Sequence, residues 1–332
     1  MEQKGLPFTF PGTIAVGDCT TAEEVMNKAK LNWKVSKCEV YAKMQTENEL
    51  LPNYNLVPNA FATYRTDNGQ PLGIVKERYT PVQNIDAFNF FDSAIGKDKA
   101  IWYTAGQLGR GERIFVAAKL PDTILVDGDP VDNYLVFMNS HDGSTGLKIM
   151  LTPVRVFCTN QLNAAIRSAD KYINFRHTKN IHSNLDIASD ILGMTKVKIK
   201  ALEEIWTELA RKKVDDNKAA ETFAKLILSE NEIDALVNTG HTIKEIVYRN
   251  YNAMQDANIS TKKVNIITDM NNYYHTGIAQ SEIKGTAWGV YNAVTGYYSN
   301  VDNVSGQKRF DSLLYGDKAN KIEKVGNYLL TV

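Results

Sequence analysis

From residue 61 to 158 the chain reads as short apolar bursts in which side chains of opposite character alternate. FATYR, GIVKERY, IWYTAG, RIFVAAKL, TILVDG, NYLVFMN, LKIML and VRVFC are rich in β-branched and aromatic residues, the pattern of strands. Between them Leu108-Gly109-Arg110-Gly111, Asp127-Gly128-Asp129-Pro130 and His141-Asp142-Gly143 stand where hairpin turns belong, because Gly reaches positive φ and Asp bonds its own backbone. One helix is expected over 84–95, with Ile85, Phe88, Phe91 and Ile95 at helical spacing and Asn84 as its N-cap. After Thr159 the period lengthens. Helices are expected over 160–169, 183–213, 218–228, 230–237, 242–253 and 281–295, with Gly193 breaking or bending the second, since Gly costs about 1 kcal/mol against Ala there. The expected fold class is α+β: an antiparallel, sheet-rich half (1–158) with one or two helices, then a mainly helical half (159–332). With no internal repeat and no low-complexity linker, the two halves are expected to form one domain.

Composition supports a globular protein and adds one asymmetry. Of 332 residues 43% are apolar, enough for a sizeable core. The chain has no apolar run long enough for a membrane helix, and MEQKGLPFTFPG lacks the basic-then-apolar order of a signal peptide, so a cytoplasmic protein with no membrane partner is expected. Cys19, Cys38 and Cys158 are too few and too scattered for a disulfide framework. The net charge of zero conceals segregation. Residues 1–147 carry 14 Lys+Arg against 18 Asp+Glu, residues 148–213 carry 12 against 6, and residues 214–332 carry 12 against 14. A middle segment of +6 between flanks of −4 and −2 marks a candidate surface for a polyanion.

TPVRVFCTNQL sits at the start of that segment. In an extended strand Val154, Val156 and Cys158 share one face and Arg155 and Phe157 the other. This puts the thiol on the buried side and the guanidinium and ring outward, an arrangement suited to a phosphate and a stacked base. Downstream, Arg167, Lys171, Arg176 and Lys179 add positive charge, with Tyr172 and Phe175 interleaved, as single-stranded nucleic acid requires. Arg110 and Arg113 flank a hairpin turn and extend the track. Asn160 serves as the N-cap, or its neighbour, of the helix that follows, where free N–H groups favour an anion. NSHDGS reads as a polar hairpin tip rather than a metal loop, because two ligands do not make a site. His177 and His182 lie five apart, which is not a helical ligand spacing. No phosphate-binding GxxxxGK[ST] loop, no dinucleotide-binding GxGxxG and no GxSxG nucleophile elbow is present, so nucleotide-dependent motor, dehydrogenase and serine-hydrolase readings lack their motifs, and no metal or cofactor is expected. Trp288, Tyr291 and Thr295, at helical spacing, form a packing stripe.

Several stretches, in order along the chain, resemble a family of phage/plasmid-like proteins of unknown function. They are LNWKVSK (31–37), YTPVQN (79–84), TAGQLGRG (104–111), NSHDGS (139–144), TPVRVFCTNQL (152–162), HTKNI (177–181) and GTAWGVYNAVT (285–295). Phe157 departs from that pattern, where a small β-branched residue is expected. The resemblance implies a mobile-element protein acting in the cytoplasm of a host bacterium, and it brings no catalytic residues with it. A looser analogy of fold leads to Rad52-like phage proteins that anneal single strands.

The expectation is therefore a non-catalytic protein of DNA metabolism that binds single-stranded DNA and promotes annealing or recombination as a homo-oligomer. Arg110, Arg113, Arg155, Arg167, Lys171, Arg176 and Lys179 would contact phosphates, Phe157 would stack a base and Asn160 would position backbone. An interaction protein of host takeover or counter-defence, with no nucleic acid bound, is the alternative. An enzyme built on Cys158 with His177 or His141 is the third reading.

Overall fold

The computed structural model describes residues 8, 12–44, 53–86, 88–89, 101–155, 173–177, 188–304, 308, 312–313 and 316–332. Phe157, Cys158, Asn160, Arg167, Lys171 and Lys179, with the helix expected over 160–169, lie outside the described residues. Antiparallel sheet dominates the N-terminal half and helices the C-terminal half, the α+β class that the periodicity implied.

The main sheet has six antiparallel strands in the order β1 (Thr13–Ala15), β5 (Ile101–Leu108), β6 (Arg113–Val126), β7 (Asp129–Ser140), β8 (Leu147–Arg155) and β9 (Ile173–Phe175). A second sheet holds β2 (Val35–Met44), β3 (Asn53–Arg65) and β4 (Pro71–Val75). The three expected hairpin turns join β5 to β6, β6 to β7 and β7 to β8. In the second, Val126 pairs with Asp129 across a two-residue loop in which Asp127 and Gly128 have φ of 51° and 88°. That doubly left-handed geometry is the one whose twist matches the flanking strands. RIFVAAKL and TILVDG fuse into the single strand β6, whose register with β7 shifts between Lys119 and Thr123. The shift falls at Pro121, which has no N–H to give the ladder.

Alternation along β6 and β7 feeds two cores. Ile114, Val116, Ala118, Leu135 and Phe137 face a cluster that includes Val25 of α1 (Ala22–Lys28), Leu31, Trp33 and Leu72. Phe115, Ala117, Val136 and Met138 face the opposite way, with Phe8, Met150 and Val154. The main sheet is thus dry on both faces at its centre, and β8 is buried along nearly its whole length.

The helices pack at the far end of β6 and β7, where Ile124, Val126 and Val131 join their core. α2 (Ala188–Arg211) runs unbroken through Gly193, so the expected break or bend does not interrupt it. A cost of about 1 kcal/mol is small beside the burial of Leu202, Trp206 and Leu209 further along the same helix. α3 (Asp216–Ile227) starts at the Asp215 cap and α4 (Glu230–Asn238) at a Ser229–Glu232 capping box. The helix expected over 242–253 is two: α5 (Ile243–Val247) and α6 (Tyr251–Asp256), divided where Arg249 takes φ of 59° and Asn250 caps the second. α7 (Thr261–Thr276) and α9 (Asp317–Thr331) were not anticipated, and α8 (Ala287–Gly296) begins at Thr286 rather than near 281. Every residue of α8 is buried, including the expected Trp288–Tyr291–Thr295 stripe.

Arg155 departs most from expectation. Its side chain is fully buried, and Nε donates to Asp129 Oδ2 at 2.5 Å while Nη2 donates to the Ala279 carbonyl at 2.9 Å. Trp288 Nε1 donates to the same Asp129 oxygen at 2.8 Å. The strand does turn Arg155 away from Val154, but the helical half covers that face. The guanidinium therefore joins β8, the start of β7 and α8 instead of meeting solvent.

No helix among the described residues is long and apolar enough to cross a membrane.

Candidate nucleic-acid interface

At the end of the main sheet nearest β4 lies an open groove of about 910 Å³. One wall is the chain leaving β4, with Lys76, Arg78 and Tyr79. The other is formed by the β7–β8 loop (143–146), Lys148 on β8, and Asn174, Arg176 and His177 at and beyond β9. β4 can lie this close to the β7–β8 loop because residue 73 is glycine: a Cβ there would stand 2.5 Å from the Asp142 Cα. Among the described residues four cationic side chains line the groove and no carboxylate does. Lys76, Arg78 and Arg176 are exposed and make no ion pair among the described residues, whereas Lys148 is 7% exposed, in the groove floor.

The aromatic component is a stacked pair. The Tyr79 and His177 rings lie 4.7 Å apart with 22° between their planes. Tyr79 is anchored through its hydroxyl, which donates to the Ser140 carbonyl at 2.7 Å, and Lys37 Nζ donates to the Glu77 and Tyr79 carbonyls at 2.8 and 3.1 Å. Thr80 N donates to the His177 carbonyl at 3.1 Å, which stitches the two walls together. His177 is 6% exposed, and neither ring nitrogen has a hydrogen-bond partner among the described residues. Burial holds its imidazole down at about 4, against a weaker upward pull from the Thr80 backbone and Asp142. At neutral pH it is an uncharged ring with one N–H and one lone pair to offer.

Behind the groove, His141 is fully buried, not at an exposed hairpin tip. Its Nε2 lies 2.9 Å from Asn84 Oδ1 and its ring packs edge-on against Trp33 at 5.3 Å. The Asn84 amide donates to the Leu31 and Trp33 carbonyls, so it braces this interior, while most of the helix expected to follow it over 84–95 lies outside the described residues. Since that amide nitrogen is spent as a donor, Asn84 Oδ1 accepts and His141 Nε2 carries the proton. Burial, and then the neighbouring His177, push the His141 imidazole down to about 3. Asp142 accepts from the Ser140 hydroxyl at 2.5 Å and from Ser144 N and Oγ at 2.9 and 2.6 Å. Burial raises its carboxyl, but these bonds outweigh the effect and hold it below the usual carboxylate range. Among the described residues no group of three or more His, Cys, Asp and Glu is placed to hold a metal.

Of the site residues named from sequence, Arg176 lines the groove and Arg113 reaches its rim, where Nε and Nη2 donate to Ser144 Oγ at 3.3 and 3.1 Å. Arg110 is exposed but paired with Glu112 at 2.8 Å, and Arg155 is interior. Lys76, Arg78, Lys148 and the Tyr79–His177 stack were missed as a set, because they come from segments far apart in the chain. The one available signal was that YTPVQN, NSHDGS and HTKNI each supply part of this corner.

A family described as a domain of unknown function, DUF932, matches residues 71–319. The chain belongs to the DUF932 family. The matched span runs from β4 into α9 and so contains every groove residue, while β1 to β3 precede it. No curated protein and no solved structure matches the chain.

Proposed function

We propose that this DUF932 protein binds single-stranded nucleic acid, without catalysis, through the groove between the β4 exit and β8–β9. The observation that carries the reading is the convergence of Lys76, Arg78, Lys148 and Arg176 on one groove that has a stacked Tyr79–His177 pair in its wall and, among the described residues, no carboxylate in its lining. Cations hold phosphates, and an aromatic surface accepts bases of any sequence. Arg113 stands at the rim as a further contact. The role such binding would serve is strand annealing or recombination, by the looser analogy of fold to Rad52-like annealing proteins, on a phage or plasmid, the setting that the sequence resemblance implies, with the protein acting as a homo-oligomer.

The test is anisotropy of a labelled oligonucleotide titrated with protein at several salt concentrations. Affinity should fall with salt along a log–log slope of about −0.7 per phosphate contacted. Binding absent at 20–50 mM salt, roughly the low end at which such contacts are strongest, would remove the reading.

A second reading has its own observation. The far part of the β2–β3 hairpin is exposed on both faces and carries Tyr41, Met44, Tyr54 and Leu56, each 44% exposed or more. Such a display suits a protein interaction, as in a host-takeover factor. A stoichiometric complex with a host protein that survives nuclease treatment and is lost on Tyr41→Ser/Tyr54→Ser would favour it.

A further inference from the structure

We propose that the groove is a receptor for a terminal phosphomonoester, carried on a strand end or on a free nucleotide, with the His177 ring as a hydrogen-bond partner and Lys76, Arg78, Lys148 and Arg176 as the cationic ring. This rests on the reading of the groove as an anion interface and narrows what it takes.

Three observations lead there. The first is that positive charge is concentrated, not drawn out. Beyond the groove, four cations on the sheets and their turns are matched with carboxylates: Arg65 with Asp67 at 2.7 Å, Arg110 with Glu112 at 2.8 Å, Lys119 with Asp132 at 2.6 Å and Arg155 with Asp129 at 2.5 Å. A strand running across the surface needs positive charge at successive phosphates. Four cations around one groove suit a single group bearing a charge of about −1.5 to −2 and three acceptor oxygens, which a terminal phosphate has and a diester lacks.

The second is His177. Buried polar atoms almost always have partners. Two ring nitrogens without one, on a side chain 94% buried that lines a groove, mark a place where a ligand atom belongs. The hydroxyls of Ser144 and Thr145 do not fill that role, since they donate to Asp142 and to the Gly146 carbonyl. The imidazole N–H is a buried donor on that wall without a partner among the described residues. The third is size. At 910 Å³ the groove lies within the roughly 300–1,000 Å³ typical of sites for single small ligands. It has room for a nucleotide, with the Tyr79–His177 stack beside the base or sugar.

The experiment uses the full chain and a set of oligothymidylates of one length: 5′-phosphorylated, 3′-phosphorylated, hydroxyl-ended, and circularised. Thymidine monophosphate and inorganic phosphate serve as competitors. One phosphorylated form should bind at least tenfold tighter than the hydroxyl-ended one, and the circle should match the hydroxyl-ended form. Arg176→Gln, at an exposed position, and His177→Gln should abolish that preference while circular dichroism stays unchanged. Thymidine monophosphate competing as well as the phosphorylated oligonucleotide assigns the site to free nucleotides, and much weaker competition assigns it to strand ends. Equal binding of all four oligonucleotides overturns the terminal-phosphate inference and leaves the single-strand reading standing. Competition at a phosphate-sensitive site with no oligonucleotide bound does the reverse. Loss of all binding sinks both.

Discussion

Removing the charge of Asp129 should destabilise the protein more than almost any surface change, although Asp129 lies outside the groove. The carboxylate accepts from Arg155 Nε at 2.5 Å and Trp288 Nε1 at 2.8 Å, with Arg155 0% and Asp129 6% exposed at the side chain. Asp129→Asn preserves shape and still offers Trp288 an acceptor, but it leaves a guanidinium in the interior without its counter-charge. Breaking a buried pair in this way costs about 3–5 kcal/mol. With a urea m-value of about 3 kcal/mol/M for a chain of this size, the unfolding midpoint should fall by about 1–1.7 M. The added change Arg155→Met, which replaces the stranded cation by an apolar chain, should recover a good part of the loss, because charged pairs well buried are often no more stabilising than apolar packing. The assay is urea unfolding of wild type, both single variants and the double variant, followed by tryptophan fluorescence and far-ultraviolet dichroism. A midpoint shift for Asp129→Asn below about 0.2 M at unchanged m, or losses that simply add in the double variant, would refute the argument. Coincident transitions by the two probes are expected if the sheet and helices unfold as one unit, as the expected single domain requires.

Three further outcomes follow from the described geometry. Arg176→Ala and Lys76→Ala should each weaken oligonucleotide binding several-fold and shallow the salt slope by about 0.7, while Arg110→Ala, whose cation is already paired with Glu112, should change neither. His141, held neutral with a folded pKa of about 3, should make the protein acid-sensitive: between that value and about 6.5 the unfolded chain binds a proton that the folded chain refuses, so stability falls as pH falls. His141→Gln should lessen that fall by about 2–3 kcal/mol between pH 6.5 and 4.5, read from urea midpoints across pH, and an unaltered acid limb would count against the assignment. His241 has the opposite sign, since its ring bonds Asp256 and Glu245 at 2.9 and 2.8 Å and its pKa is raised by them in that order. Its contribution is complete below about pH 6.5 and lost as pH rises through the folded value, so the melting-temperature gap between wild type and His241→Gln should be wider at pH 6 than at pH 9.

How far the sequence foretold this arrangement depended on whether local chemistry or long-range covering decided each feature. Asp127-Gly128 announced its hairpin because the left-handed backbone of the turn is a local demand. Asn250 split an expected helix for an equally local reason, yet there a side-chain cap overrode a hydrophobic spacing that continued through it. Arg155 was misplaced by an assumption about water. The period-2 pattern correctly separated it from Val154, but alternation cannot say that both faces are dry. A cation between valines on a strand buried by a later helical half looks the same in sequence as one on a wet face. The excess of positive charge in 148–213 had a similar ambiguity: Lys148 and Arg176 reach the groove, Arg155 ties the interior, and Lys76 and Arg78 come from a segment whose net charge is negative.

Six of the seven stretches that carried the family resemblance contribute described residues to two clusters when folded, and this separates what holds the molecule from what it presents. LNWKVSK, YTPVQN and NSHDGS meet where Asn84 bonds the Leu31 and Trp33 carbonyls and His141, Asn139 Nδ2 donates to the Val82 carbonyl at 3.2 Å, and Tyr79 bonds the Ser140 carbonyl. TPVRVFCTNQL and GTAWGVYNAVT meet at Asp129 through Arg155 and Trp288. In the second cluster one oxygen, Asp129 Oδ2, takes both donors, Arg155 Nε and Trp288 Nε1, which is what a structural joint needs. The first cluster is bonded across three segments behind the sheet, although His141 Nδ1, Asn139 Oδ1 and Trp33 Nε1 have no partner there among the described residues. At its outer edge, where HTKNI adds His177, two ring nitrogens are left over beside four cations. Among the described residues, buried polar atoms without a partner also occur deeper in the fold, His141 Nδ1 and Trp206 Nε1 among them; what gives the His177 pair its meaning is its place in the wall of a groove lined by cations.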